Sequence, residues 1–241
     1  MNKQTRRNFL KNSLYAGTTV AWTAKSWAQV KGANETLRCA TIGFRGRGNS
    51  HIGSIKGMQQ REQGVKLTAL CDVDKKVLEA GAAKHKVAGY QDIRVMLEKE
   101  ELDVVTVATP NHWHSLAAIW AVQAGKDVYV EKPVSHNVWE GRQLVNAARK
   151  YKKIVQTGTQ ARSSKCIQDA VQWVQAGNLG KIKVSRGLCY KRRGSIGDIP
   201  DTKDVPREVD YDLWLGPAPK KPLTRERLHY DWHWMWDYGN G

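Results

Sequence analysis

One stretch, Val104 to Pro133, constrains the fold more than any other. Residues Val104 to Ala108 form a short β-branched run without polar alternation, the pattern of a strand covered on both faces of a parallel sheet. The run stops at Thr109-Pro110-Asn111, because proline has no N–H to give to a ladder. The spacing predicts a helix from about His112 to Ala124, capped by Gly125, and then a second buried run from Asp127 to Val130. In open parallel sheets ligands sit beyond the carboxyl ends of the strands. Thr109 to His114 and Glu131-Lys132-Pro133 are therefore expected side by side, at the edge where chemistry occurs.

Upstream, Leu37 to Ile42 reads as the first strand and Gly43-Phe44-Arg45-Gly46-Arg47-Gly48 as the turn into the first helix. Gly43 and Gly48 occupy the first and third glycine positions of a GxGxxG dinucleotide turn, with Arg45 where the second should stand. Gly46 takes over that role if the loop is shifted, and Arg45 or Arg47 is placed to pair with phosphate directly. A second strand, Val65 to Cys71, ends at Asp72, 24 residues past Gly48, where an acidic side chain accepts hydrogen bonds from an adenosine ribose. An aspartate there repels a 2′-phosphate, so NAD is favoured over NADP, with Lys75, Lys76, Arg45 and Arg47 as the features that keep NADP as runner-up. Asp74 reads equally well as the cap of the next helix, which runs to about His85. A small element at Tyr90, an amphipathic helix from Asp92 to Lys99, a helix from about Val138 to Tyr151 and a strand from Ile154 to Thr157 complete an alternation of strands and helices. That alternation implies right-handed crossovers and an α/β, doubly wound parallel sheet.

The formal net charge of +16 raises the question of nucleic acid. Lys3, Arg6, Arg7, Lys11 and Lys25 lie in the first 28 residues with no acid among them, and the other basic residues form short scattered clusters such as Lys152-Lys153. No recognition motif accompanies the charge, so no nucleic-acid partner is expected. Cys39, Cys71, Cys166 and Cys189 lack metal-ligand spacing, and no metal site is expected. Residues 1–28 read as a twin-arginine export signal, Thr5-Arg6-Arg7-Asn8-Phe9-Leu10-Lys11 followed by a mildly apolar stretch and the small-residue site Ser26-Trp27-Ala28. The stretch is too short and too polar for a stable membrane anchor. A linker, 29–36, follows, and the expected destination is the periplasm or beyond. The twin-arginine route carries folded proteins, so a nucleotide would travel already bound.

These residues together resemble the Gfo/Idh/MocA oxidoreductases. The matching features are the Gly43 turn, Cys71-Asp72, Thr109-Pro110-Asn111 with His114 three positions on, Glu131-Lys132-Pro133, and Gln156-x-Gly158-x-Gln160-x-Arg162. The resemblance spans about Leu37 to Gly241. It implies a Rossmann-type NAD(P)-binding domain, 37–158, followed from 159 by the start of an incomplete α+β substrate domain. It further implies hydride transfer between a nicotinamide and a secondary alcohol or ketone of a sugar or sugar derivative. Lys132 is the expected catalytic residue, beside the alcohol oxygen; its alternative is a surface lysine paired with Glu131. Gly43, Arg45, Gly46, Gly48, Asp72, Thr109, Pro110, Asn111, His114, Glu131, Lys132 and Pro133 are the expected cofactor side. Gln160, Arg162, Tyr230 and His233 are expected on the substrate side.

Lys181 to Tyr190 alternates as one strand of the second sheet. The resemblance also implies an Asp and a His beyond Gly241, with most of the substrate sheet and the surface for homo-oligomers. The sequence is therefore expected to be a fragment, inactive by itself. A related exported group, the NAD-dependent glycosidases, supplies a second functional reading, and a noncatalytic nucleotide- or sugar-binding protein of the same fold a third.

Overall fold

A computed structural model of the chain describes residues 36–190, 194–197 and 201–240; the expected export signal lies outside the described residues. The chain from Leu37 onward forms a unit of its own. In it, six parallel strands form one sheet in the order β3-β2-β1-β4-β5-β6. They are β1 (Leu37–Ile42), β2 (Val65–Cys71), β3 (Ala88–Tyr90), β4 (Val104–Val107), β5 (Asp127–Glu131) and β6 (Val155–Gly158). Between them run α1 (Gly48–Gln60), α2 (Lys75–His85), α3 (Ile93–Lys99), α4 (Asn111–Gln123) and α5 (Val138–Tyr151). The strand order reverses between β1 and β4, and a crevice opens at their carboxyl ends.

The strands are short and apolar because both faces are covered. Ala40, Ile42, Ala69, Val105, Val107, Val128 and Val130 pack with Met96, Ala117, Ala121 and Leu144 on one side. Cys39, Leu67 and Leu70 meet Phe44, Ile52, Ile55 and Leu78 on the other. A buried polar pair at the centre satisfies itself, as Thr106 Oγ1 and Thr41 Oγ1 lie 2.9 Å apart. Cys39 and Cys71 are buried free thiols in this core.

Helices α2, α3 and α5 start at capping residues. Asp74 accepts from the Val77 N–H, Asp92 from that of Arg94 and Asn137 from that of Glu140. Each such cap is worth roughly 1 kcal/mol. Helix α4 differs, beginning directly after Pro110 with Asn111, His112, Trp113, His114 and Ser115 all buried.

It is buried because the chain from 205 to 240 packs over it. Val209, Trp214, Leu215, Leu223, Leu228, Trp232 and Tyr238 form a third apolar cluster, joined by Val73 from the end of β2. In α7 (Tyr211–Leu215) the carbonyls of Leu213 and Trp214 accept the Trp113 indole N–H at 3.1 and 3.0 Å. A Cβ at Gly216 would lie 2.1 Å from Trp113 Cζ2, so only glycine fits there.

One part of the expected second domain differs from the sequence reading. Residues 181–190 form no strand, since no ladder partner lies beside them among the described residues and alternation alone does not make a sheet. Helix α6 (Lys165–Gln175) is present, but Ile167, Val171 and Trp173 on its apolar side are 45%, 48% and 53% exposed.

Candidate nucleotide and active site

A cavity of about 590 Å³ lies at the crevice. One wall is the turn after β1. Gly43 has φ +72°, and a Cβ there would sit 2.9 Å from the Thr109 amide nitrogen in the loop after β4. The turn therefore touches the neighbouring strand end at a point where any side chain would collide. Gly48 begins α1, and its Cβ would fall 2.1 Å from the Gly43 carbonyl oxygen. Gly48 is thus a packing glycine, absent from the cavity wall, whereas Gly46 lies on the wall and a Cβ there meets nothing within 4 Å.

Asp72 braces this turn. Its Oδ2 accepts the Phe44 N–H at 3.0 Å and its Oδ1 the Asp74 N–H at 3.1 Å. Burial raises the carboxyl pKa, and the two backbone donors oppose that rise. Asp74, besides capping α2, lies 3.4 Å from Arg45 Nη1 and 3.1 Å from His229 Nε2. Arg45 is therefore engaged with a carboxylate. Burial, and then the Arg45 charge, push the His229 pKa down.

The opposite wall is the carboxyl end of β5. Glu131 is 5% exposed, and its Oε1 accepts Arg47 Nε–H at 2.8 Å and faces His51 Nε2 at 2.9 Å. Burial alone would raise the Glu131 pKa, but these donors and the Arg47 charge outweigh it and hold the carboxyl below its ordinary value. Lys132 follows, exposed on the cavity wall, in a cis peptide with Pro133. Glu131 is taken by α1, so the reading of Lys132 as the partner of Glu131 does not hold. Among the described residues no carboxylate pairs with it.

Between the walls, His114 ties the two loops together. Its Nδ1 is 2.5 Å from the Pro133 carbonyl oxygen and its Nε2 is 2.8 Å from that of Thr109. Burial lowers its pKa against the pull of both carbonyls, and a neutral ring donates to only one of them. Asn111 donates from Nδ2 to Asn240 Oδ1 at 2.9 Å, and Asn240 Nδ2 donates to the His136 carbonyl. The hydroxyl of Thr109 is buried on the wall with no partner among the described residues.

Residues 37–159 match the family model described as an oxidoreductase family with an NAD-binding Rossmann fold, and residues 164–241 match the model of that family's C-terminal alpha/beta domain. The chain belongs to the Gfo/Idh/MocA oxidoreductase family.

Among curated members, a glycosyl hydrolase family 109 protein of Solibacter usitatus is 34% identical over 166 residues, covering 61% of this chain and 37% of that protein. An alpha-N-acetylgalactosaminidase of Shewanella oneidensis is 31% identical over 130 residues, covering 49% of this chain and 27% of that one. Between about a quarter and two fifths of those relatives' length is therefore matched. Among solved structures, the WlbA dehydrogenase of Bordetella pertussis, in complex with NADH and UDP-GlcNAcA, aligns with TM-score 0.56 at 26% identity over 61% of this chain and 44% of that one. The myo-inositol 2-dehydrogenase of Lactobacillus plantarum aligns with TM-score 0.56 at 28% identity over 61% of this chain and 43% of its own.

In this Gfo/Idh/MocA member the crevice gathers most of the residues singled out from sequence. Gly43, Arg45, Gly46, Asp72, Thr109, Pro110, Asn111, His114, Glu131, Lys132, Pro133, Gln160, Tyr230 and His233 all line the cavity. Arg162 is the one substrate-side expectation that does not line the cavity. It is exposed in the 3-10 turn Gln160–Ser163, of which Gln160 alone reaches the wall. Sequence reasoning missed His51 and His229. A histidine three residues into α1, among Ile52 and Ile55, was the only local signal for the first. His229 reaches Asp74 from more than a hundred residues away and carries none.

Proposed function

We propose that this chain is the nucleotide-binding part, with the beginning of the substrate part, of an oxidoreductase that moves hydride between NAD and a secondary alcohol or ketone of a sugar derivative. One observation carries the reading. The Lys132 amine lines the same cavity as the glycine turn, across from it, and has no carboxylate partner among the described residues, because the neighbouring Glu131 is held by Arg47 and His51.

The residues fit a dinucleotide. The open space over Gly46 and the unpartnered Thr109 hydroxyl suit a diphosphate approaching close to backbone. Gly43, Gly46 and Thr109 would hold that end, and Asp72 would meet the adenosine ribose with the lone pairs its backbone bonds leave free. Two carboxylates, Asp72 and Asp74, close the end of β2 and disfavour a 2′-phosphate, so NAD is the proposed cofactor over NADP. The nicotinamide supplies hydride acceptance. Lys132 Nζ takes or gives the alcohol proton and steadies negative charge on that oxygen. Tyr230 and the stacked rings of Trp232 and His233, with centroids 3.7 Å apart, offer a flat face to a sugar ring.

Replacing Lys132 by Met tests this in the complete gene product. Turnover should fall by about 100-fold or more with NADH binding retained; unchanged turnover removes the assignment. The curated relatives named as glycosyl hydrolases favour a second reading, in which transient oxidation loosens a glycosidic bond and the cofactor is regenerated. Release of a nitrophenyl aglycone without net NADH selects that reading, and NADH formed from the free sugar selects the first.

The nucleotide half is proposed to end at 158 and the substrate half to begin at 159. The Arg6-Arg7 pattern supports export with nucleotide bound, to the periplasm or outside the cell.

A further inference from the structure

The buried carboxylate of Glu131 is surrounded more closely than a strand end requires. Its Oε1 meets Arg47 and His51, both from the α1 side. A carboxylate only accepts, so the His51 ring is fixed with its proton on Nε2, and its Nδ1 is buried without a partner among the described residues. Room on the other side comes from β6, where a Cβ at Gly158 would lie 3.1 Å from Glu131 Cδ. Tyr129, two residues earlier on β5, meets the His51 ring edge-on with centroids 5.2 Å apart. Burying a carboxylate is strongly unfavourable unless donors surround it, and here the sequence supplies two donors and a glycine for one side chain.

His51 does not line the cavity, whereas Arg47, Glu131 and Lys132 do. Any effect of His51 on chemistry therefore passes through Glu131. We infer that His51 is a positioning residue for Lys132, acting through Glu131, and that Arg47 ties the same carboxylate to the turn proposed for the cofactor diphosphate. The inference rests on the proposed role of Lys132. Held from the α1 side, Glu131 is kept from its neighbour's amine, and the strand end that carries Lys132 has one direction. A reacting group displaced by about 1 Å can lose on the order of 100-fold in rate.

Four variants of the complete gene product test it. His51→Leu removes the donor, while His51→Gln places an amide N–H near the position of Nε2. Expected are a kcat lowered about 10- to 100-fold for His51→Leu, an NADH Kd within about twofold of the parent, and recovery of most of kcat in His51→Gln. Glu131→Gln should lower kcat similarly, and the double variant His51→Leu/Glu131→Gln should lose no more than either single change. If His51→Leu does not fold, His51→Asn, whose amide falls short of Oε1, replaces it.

Hydrogen exchange over residues 127–137 gives a readout without turnover. Exchange should quicken at the end of β5 in His51→Leu and stay unchanged in β1 and β2. Unchanged exchange at the end of β5, additive losses, or a His51→Gln no better than His51→Leu would overturn the positioning role. If instead Lys132→Met leaves turnover intact, the Lys132 reading fails, and the exchange result decides by itself whether His51 holds the strand end.

Discussion

The Phe44 amide N–H donates to Asp72 Oδ2 at 3.0 Å, joining the turn after the first strand to the end of the second. A side chain expected to contact ribose is thus also the brace of the turn proposed to hold the diphosphate. Replacing Asp72 by Ala leaves two buried backbone N–H groups, those of Phe44 and Asp74, without their acceptor. The expected result is a loss of about 2–3 kcal/mol in unfolding free energy by denaturant titration, with NADH affinity lowered about tenfold or more.

The glycines of the turn separate into two kinds. Gly48→Ala pushes a methyl group to 2.1 Å from the Gly43 carbonyl oxygen, which is backbone and cannot swing aside. It should destabilise the protein by about 2–4 kcal/mol. Gly46→Ala meets nothing within 4 Å and should leave stability within about 0.5 kcal/mol of the parent, while weakening NADH binding because Gly46 lines the cavity where the diphosphate is proposed to approach backbone. Thermal melts and fluorescence titration on both variants check the contrast.

His112 gives a pH dependence of stability. It is buried, its Nε2 meets the Trp214 carbonyl oxygen at 3.0 Å, and burial lowers its pKa to about 4. The unfolded state, with a pKa near 6.5, binds the proton more readily. Stability from this group is therefore present above pH 6.5 and is lost as pH falls toward 4, by up to about 3 kcal/mol. His112→Gln, which keeps an N–H for Trp214 and cannot titrate, should flatten that slope in denaturant unfolding at pH 7, 6, 5 and 4.5. A slope equal to the parent's would assign it elsewhere.

The parts of the fold that local chemistry dictates were legible in the sequence. The buried run ending at Thr109-Pro110, the glycine turn and Glu131-Lys132-Pro133 each show themselves within a few residues, and the parallel order then places them together. The partners of those residues were not legible, because they arrive through tertiary packing. Arg47 and Glu131 are 84 residues apart, Trp113 and Trp214 101, and Asn111 and Asn240 129. The same distance explains why Asn111 and His114 look like free pocket side chains in sequence and are tied to Asn240, Thr109 and Pro133 in the fold. Residues 181–190 mislead in the other sense. Their alternation is a strand's, but a strand is defined by a neighbour, and none lies beside them among the described residues.

A crystal structure of the complete gene product with bound NADH tests the central claim most directly. The diphosphate should rest against Gly43 and Gly46, with Lys132 Nζ and the nicotinamide C4 converging on one site about 3–3.5 Å from each, where an alcohol carbon and its oxygen would lie. A nicotinamide ring placed away from the carboxyl end of β5, or a diphosphate bound elsewhere than the Gly43 turn, would contradict it.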